Sequence, residues 1–126
     1  MTVLEYIYGR LSSYAPLTDV VGLRISPGIS RQGESNPRVR YLAFGARPEQ
    51  THDGEQDLRD FVLQVDAIAS DYDQARAVAA FCCDALRGSE SPLAGVFIQI
   101  ENDGMDIPEA ENHEFRCMVE ARVWHR

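Results

Sequence analysis

The sequence lacks any long apolar segment. None of its 126 residues belongs to a run that approaches the roughly 20 consecutive apolar residues of a membrane-spanning helix. The N-terminal segment MTVLEYIYGR also lacks the basic region and apolar core of a secretory signal peptide. These absences predict a cytoplasmic protein that makes no contact with a membrane.

Cysteine is scarce, with only Cys82, Cys83 and Cys117 in the chain. An odd number of cysteines does not make a disulfide framework. Neighbouring residues on a helix point about 100° apart, so Cys82 and Cys83 do not form an ordinary bridge. The spacings of a zinc site are absent as well. We therefore expect no bound metal, and we interpret the cysteines as small buried hydrophobic residues.

The chain also lacks an excess of basic residues, since its formal net charge is −8 at pH 7. A groove that binds nucleic-acid phosphates carries surplus lysine and arginine. The charge therefore argues against direct nucleic-acid binding. It is compatible with a solvated surface, or with a wall past which nucleic acid slides without being held.

Motifs of catalysis and cofactor binding are missing. The sequence contains no nucleophile elbow, dinucleotide-binding loop or phosphate-binding loop. The histidines are isolated from one another, and the acidic residues Asp53, Glu55 and Asp57 lack the frame of a calcium-binding loop. We expect no catalytic, cofactor-binding or metal site, and no enzyme activity.

The stretch from Leu58 to Gly88 has the clearest local pattern. Apolar residues occupy every second position from Phe61 to Ala67, which is typical of a half-buried strand. The spacing then changes to three and four residues from Tyr72 to Leu86, which predicts an amphipathic helix. Ser70 or Asp71 is the expected N-cap. This stretch predicts a strand followed directly by a helix that packs on the sheet.

The rest of the chain supplies a second helix and three more strands. A helix is expected over Thr2–Tyr14, ended by Ala15-Pro16, and the segment after it allows a turn of helix and a very short strand at Arg24-Ile25. The expected strands are Arg38–Phe44, Leu58–Ala69, Val96–Glu101 and His113–His125. Strands joined by hairpins are antiparallel. The prediction is an α+β two-layer sandwich, with an antiparallel sheet of about four strands and two main helices on one face, formed by residues 1–126 as a single domain.

The strand face turned away from the helices is expected to be partly apolar. Its polar residues alternate with Leu42, Val62, Met118 and Trp124, and with Phe97. A patch of this kind often marks a surface that contacts a partner. The alternative is a set of ordinary scattered surface hydrophobic residues.

Four segments spread over nearly the whole length of the chain have a recognisable pattern: APLTDVVGLRISPGIS, PRVRYLAFG, QVDAIASDYDQARAVAAFCCDALRG and EFRCMVEARVWHR. They resemble the tail-completion or tail-terminator proteins of long-tailed bacteriophages and prophages, small head–tail joining proteins. The third is the most characteristic, because it joins a strand ending in QVD to an xDYxxAxxxA helix. The acidic EQTHDGEQD loop and the Cys82-Cys83 pair are not explained by the resemblance.

The resemblance implies a structural protein rather than an enzyme. It implies a homo-oligomer, a hexameric ring that caps the finished tail tube and then docks the head connector protein while DNA passes through its lumen without specific binding. Assembly would occur in the host cytoplasm, and the final location would be the head-proximal end of the tail in the virion.

A closed ring needs two different complementary patches on each protomer. The candidates are the partly apolar strand face and two loops, Ser26–Pro37 and Gly45–Asp57. Within them, the candidate contact residues are Leu42, Val62, Met118 and Trp124 on the strands, Arg31 in the first loop, and Arg47, His52, Asp53 and Glu55 in the second.

Two alternative functions remain open from the sequence. One, in the same class, is a head-side connector or a minor tail protein. The other is a small-molecule-binding or hydrolytic α+β domain, which should have a concave pocket with convergent polar groups and shifted pKa values.

Overall fold

The computed structural model describes residues 3–28, 35–48, 59–87, 96–107 and 114–125. Three helices and five strands lie within these ranges. In chain order they are α1 Val3–Ser12, α2 Ala15–Val21, β1 Ile25–Pro27, β2 Arg38–Pro48, β3 Arg59–Ala69, α3 Tyr72–Leu86, β4 Val96–Ile107 and β5 Phe115–His125. None of the described helices is long and apolar enough to cross a membrane.

The strands form one sheet in the order β1-β2-β3-β5-β4. Strands β2, β3, β5 and β4 pair antiparallel, whereas the three-residue β1 pairs parallel with β2. The predicted α+β class is therefore confirmed. The short strand at the edge is the fifth member that the sequence only hinted at, and β5 lies between β3 and β4.

The core lies between the helices and one face of the sheet. Helix α3 packs on β3, β5 and β4, and α1 and α2 pack beside α3. The alternating apolar residues of β3 and β5 are buried on this side, as their period of two predicts. The strand residues of the core are Ile25, Val39, Tyr41, Phe61, Leu63, Val65, Ala67, Ala69, Val96, Cys117, Val119, Ala121 and Val123.

Helix α3 begins and ends where its pattern predicts. The carboxylate of Asp71 accepts a hydrogen bond of 3.0 Å from the backbone N–H of Gln74, so Asp71 is the N-cap. Asp73 adds negative charge in the first turn, where the helix dipole favours it. Burial of Cys82 and Cys83 in this helix and of Cys117 in β5 agrees with the role that we expect for the cysteines.

The first helix is shorter than expected, and Pro16 has the opposite role from the one predicted. Helix α1 ends at Ser12, and Ala15-Pro16 begins α2 instead of only ending a helix. Proline is tolerated in the first turn of a helix, where its missing N–H would have no partner. The candidate cap Thr2 lies outside the described residues.

Two strands continue beyond their expected ends. Strand β2 passes Gly45, whose φ is +62°, and reaches Pro48 across a register shift after Phe44. Strand β4 reaches Ile107 with register shifts on both sides of Asn102. The expected end of this strand at Glu101 is therefore wrong, because residues 102–107 also belong to β4. A bulge lets a strand accommodate extra residues and still pair with its neighbour. The composition of the segment does not reveal this pairing.

Candidate interaction surface

The sheet face opposite the helices, called here the open face, is not covered by any described element. The predicted contact residues Leu42, Val62, Met118 and Trp124 all lie on it, on strands β2, β3 and β5. Leu42, Val62 and Trp124 are partly exposed, while Met118 is buried at 7% exposure. The structure thus brings these four residues to one surface.

An apolar band crosses the open face near one end of the sheet. It consists of Phe44, Val62, Trp124 and Phe97, from β2, β3, β5 and β4 respectively. Phe44 pairs with Val62 and Phe97 pairs with Trp124 across the strands, while Val62 and Trp124 are diagonal neighbours. Phe44 and Phe97 are each 46% exposed. The band therefore consists of two cross-strand apolar pairs, Phe44–Val62 and Phe97–Trp124, with the ion pair between Arg122 and Asp60 on the diagonal between them.

A charged cluster centred on Asp66 occupies the next part of the open face. Asp66 is completely buried, although none of the described helices covers it. Its Oδ2 atom lies 2.8 Å from Nε of Arg40 and 3.9 Å from Nη1 of Arg116. The side-chain amide of Gln64 donates to Oδ1 at 3.0 Å. A buried carboxylate needs such partners, because its desolvation is otherwise costly.

A second ion pair links Arg38, the first residue of β2, to Glu114, the residue immediately before β5. Nη1 of Arg38 lies 2.6 Å from Oε2 of Glu114, and the amide of Asn36 donates to the same oxygen at 2.8 Å. The hydrogen bond from Arg38 lowers the pKa of Glu114 below its ordinary value of 4.5, with a smaller contribution from Asn36. Partial burial acts in the opposite direction. The carboxylate therefore stays ionised to a lower pH than usual.

Arg122 lies beside the apolar band, directly opposite Val62 of β3. It pairs with Asp60 on β3, and its Nε lies 3.3 Å from Glu101 on β4. All twelve basic residues of the chain are arginines. The planar guanidinium can bond two carboxylates at once, which a lysine does less well. The open face is thus an ordered surface with fixed side chains beside the exposed apolar band.

Of the other predicted contact residues, only Arg47 belongs to the part of the chain that the structure describes. Arg47 lies in β2, with its backbone paired to Asp60. Arg31, His52, Asp53 and Glu55 lie outside the described residues. Their role as contacts stays a prediction.

The sequence did not point to Asp66 as a special residue, nor to Phe44 as a member of a band. An aspartate in the polar phase of a strand normally faces solvent. The only indication in the sequence was that β2 and β5 also have arginines at the positions expected to face away from the helices. These arginines can pair with Asp66 only if β2 and β5 are the neighbours of β3.

The described residues also form a groove of about 690 Å³ between α1 and β1. Leu4 and Tyr8 line one side, and Ile25, Pro27 and Tyr41 line the other. Burial raises the pKa of Tyr41, and the neighbouring Tyr8 adds to the shift. Within the described ranges no three His, Cys, Asp or Glu residues are grouped as for a metal ion. The lining is mainly apolar, so the groove is better suited to contact with an apolar surface than to catalysis.

Comparison with known proteins adds a family and a fold. The model of the family described as Tail completion protein gp17 matches residues 5–126. No curated protein sequence matches the chain. One solved structure, titled "Virion of native gene transfer agent (GTA) particle", contains a chain similar to this one with a TM-score of 0.71 and 19% identity, over 98% of this chain and 93% of that chain. At this identity the likeness establishes a shared fold.

Proposed function

The chain belongs to the Tail completion protein gp17 family, and we propose that it forms a closed ring, a hexamer, that caps the finished tail tube and docks the head connector. As a member of that family it is a tail-completion structural protein. We propose further that residues 1–126 act as a single domain, that assembly occurs in the host cytoplasm, and that the ring occupies the head-proximal end of the tail in the virion.

The apolar band is the observation that carries the proposal of self-assembly. Phe44 and Phe97 at its two ends are half exposed, and fully burying such a side chain contributes about 1.5–3 kcal/mol. Trp124 near the centre has the size and amphipathic character common among the residues that dominate interfaces. A surface of this kind is best explained by a protein partner that covers it.

The charge of the protein supports the proposed passage of DNA. A net charge of −8 repels the phosphate backbone, and non-specific DNA binding requires neutralising lysines and arginines. Of the basic residues described above, Arg38, Arg40 and Arg122 are already paired with carboxylates. A ring of such protomers would let DNA slide through its lumen without holding it.

Light scattering across a range of protein concentrations tests the ring. We expect a species of about 85 kDa, six times the 14.1 kDa of one chain. Phe44→Glu and Trp124→Glu should each raise the dissociation constant of this species at least about tenfold, which corresponds to 1.4 kcal/mol.

Ala80→Glu, on the exposed side of α3, is the matched control and should assemble as the wild type does. A protein that remains monomeric at every concentration would contradict self-assembly, though not membership of the family. A stable dimer unaffected by Phe44→Glu would favour a different role, such as a binding domain.

A further inference from the structure

The edge strand β4 consists of two parts that are joined through an interruption of its ladder. Residues 96–100 pair with β5 in continuous register, and register shifts on both sides of Asn102 separate them from residues 105–107. Residues 102–107 are called here the distal segment. Among the described strands, β5 is the neighbour of β4 on one side only. The distal segment therefore has a bulged ladder on one side to hold it in the sheet.

Apolar burial holds the first part of β4 but not the distal segment. Val96 belongs to the hydrophobic core, and Ile98 and Ile100 pack against that core. The residues of the distal segment all lie within the described structure, and none of them is a member of the core. Its Met105 side chain is 38% exposed. Segments with few buried apolar contacts open locally at a lower cost than the whole protein unfolds, so the distal segment is suited to local opening.

Side chains of α3 hold the distal segment through polar contacts instead. The Oη–H of Tyr72 donates to Oδ2 of Asp106 at 2.6 Å, and Nη1 of Arg76 lies 3.1 Å from Oδ1 of the same carboxylate. A longer contact of 3.9 Å joins Arg87 to Asp103. The hydrogen bond from Tyr72 lowers the pKa of Asp106, desolvation opposes this shift, and Arg76 adds to it. Asp106 is therefore ionised at neutral pH and joins the edge strand to the helix.

Two of the three cysteine thiols lie against the distal segment. The thiol of Cys83 donates to the backbone carbonyl of Asp103, with 3.6 Å between sulfur and oxygen. Gly104 lies so close to β5 that a Cβ atom on it would be 3.3 Å from Sγ of Cys117. Neighbours on a helix point about 100° apart, so the completely buried Cys82 is turned away from Asp103 and into the core. Displacing the distal segment would uncover Cys83 and Cys117 and leave Cys82 covered.

We propose that the distal segment is a gate over the thiols of Cys83 and Cys117. It opens as one unit while residues 96–100 stay paired with β5, and Asp106 is the contact that keeps it closed. The register shift between Ile100 and Asn102 is the hinge, because a bulge interrupts the ladder and bends the strand. Such a gate operates within one protomer and does not depend on the proposed ring.

Thiol labelling in urea concentrations below the unfolding transition tests the gate in the native protein. A labelling rate controlled by global unfolding rises steeply with urea because a large surface is exposed, whereas a local opening exposes little surface and depends only weakly on urea. The probe is N-ethylmaleimide, and tandem mass spectrometry of proteolytic fragments assigns each thiol. We expect a weak urea dependence for Cys83 and Cys117 and a steep one for Cys82. Equal, steep slopes for all three thiols would overturn the gate.

The variant Asp106→Ala tests the contact that keeps the gate closed. It removes both polar contacts with α3, so we expect the urea-independent labelling rate of Cys117 to rise about fivefold or more, as for the loss of at least one hydrogen bond. Glu101→Ala is the matched control. This carboxylate lies on the same strand with the same side-chain exposure of 49%, but its partner at 3.3 Å is Arg122 of β5. A labelling rate no higher for Asp106→Ala than for Glu101→Ala would overturn the role of Asp106.

Hydrogen exchange gives a readout that does not use the cysteines. Of the backbone amides that bond to β5, those of residues 105–107 should exchange at least about tenfold faster than those of residues 97–100. Asp106→Ala should widen this difference, because it releases only the distal segment. Equal protection of the two parts would show that β4 opens as a whole, and would overturn the gate.

Discussion

Asp66 is the residue at which local pattern and structure differ most. It occupies the polar phase of β3, yet it is completely buried on the face that no described helix covers. The side chains of its own sheet bury it, since Arg40 and Arg116 reach it from the two neighbouring strands. Removing one member of this buried ion-pair cluster leaves the opposite charge buried without a partner.

Replacing this carboxylate should therefore destabilise the protein. We expect Asp66→Ala to lower the free energy of unfolding by about 3 kcal/mol, and Asp66→Asn to lower it less because the amide can still accept hydrogen bonds. Urea unfolding measures both, with Asp19→Ala on the exposed side of α2 as the control. A loss at Asp66→Ala no larger than that of the control would contradict a structural role for the cluster.

The pair between Arg38 and Glu114 should make stability depend on pH. Because Arg38 lowers the pKa of Glu114 below 4.5 in the folded protein, the unfolded chain binds the proton more readily. The stabilising contribution is present above 4.5 and is lost as the pH falls through the lower, folded-state pKa. Urea unfolding at neutral and acidic pH should show a smaller loss of stability on acidification for Glu114→Gln than for the wild type. An equal loss in both proteins would contradict this assignment.

At the scale of elements, α3 shows that a helix can be predicted from a short stretch of sequence when the residues that determine it are close together in the chain. The cap, the first turn and the apolar stripe of this helix all lie within 16 consecutive residues, Asp71 to Leu86. Strand β4 shows the reverse case. Its second half, with Asn102, Asp103 and Gly104, has the composition of a turn, and its strand conformation depends on pairing with β5.

The N-cap of α3 provides a quantitative test at this scale. Asp71→Ala removes the acceptor for the N–H of Gln74 and should lower the free energy of unfolding by about 1 kcal/mol. Asp71→Ser should retain most of the stability, because serine is also a good N-cap. Thermal and urea unfolding measure the stability of both variants. An equal loss of unfolding free energy in Asp71→Ala and Asp71→Ser would show that the cap hydrogen bond is unimportant.

At the scale of the whole molecule, net charge makes a prediction about DNA. With twelve basic against twenty acidic residues, the protein should not retain duplex DNA even at low ionic strength. Fluorescence anisotropy of a labelled duplex measures this at increasing protein concentration. Salt-sensitive binding would contradict the proposed passive lumen and would indicate a basic surface formed on assembly.

The sequence by itself determined the elements whose information is local. Apolar residues at every second position of β3 and β5 and at helical spacing in α3 predicted both the elements and the faces that they bury, because side-chain direction follows backbone periodicity. The resemblance that these segments carry also identified the family. Alternation also predicted, for the same reason, that Leu42, Val62 and Trp124 lie on one face of the sheet; their role as contacts stays a prediction.

The tertiary structure alone decided which strands are neighbours. The insertion of β5 between β3 and β4 joins Asp66 to Arg116 and aligns Phe97 with Trp124. It leaves β1 and β4 as the two edges of the sheet. Strand order depends on packing between segments far apart in the chain, and no local period encodes it. The buried carboxylate and the apolar band could be recognised only after the sheet was assembled.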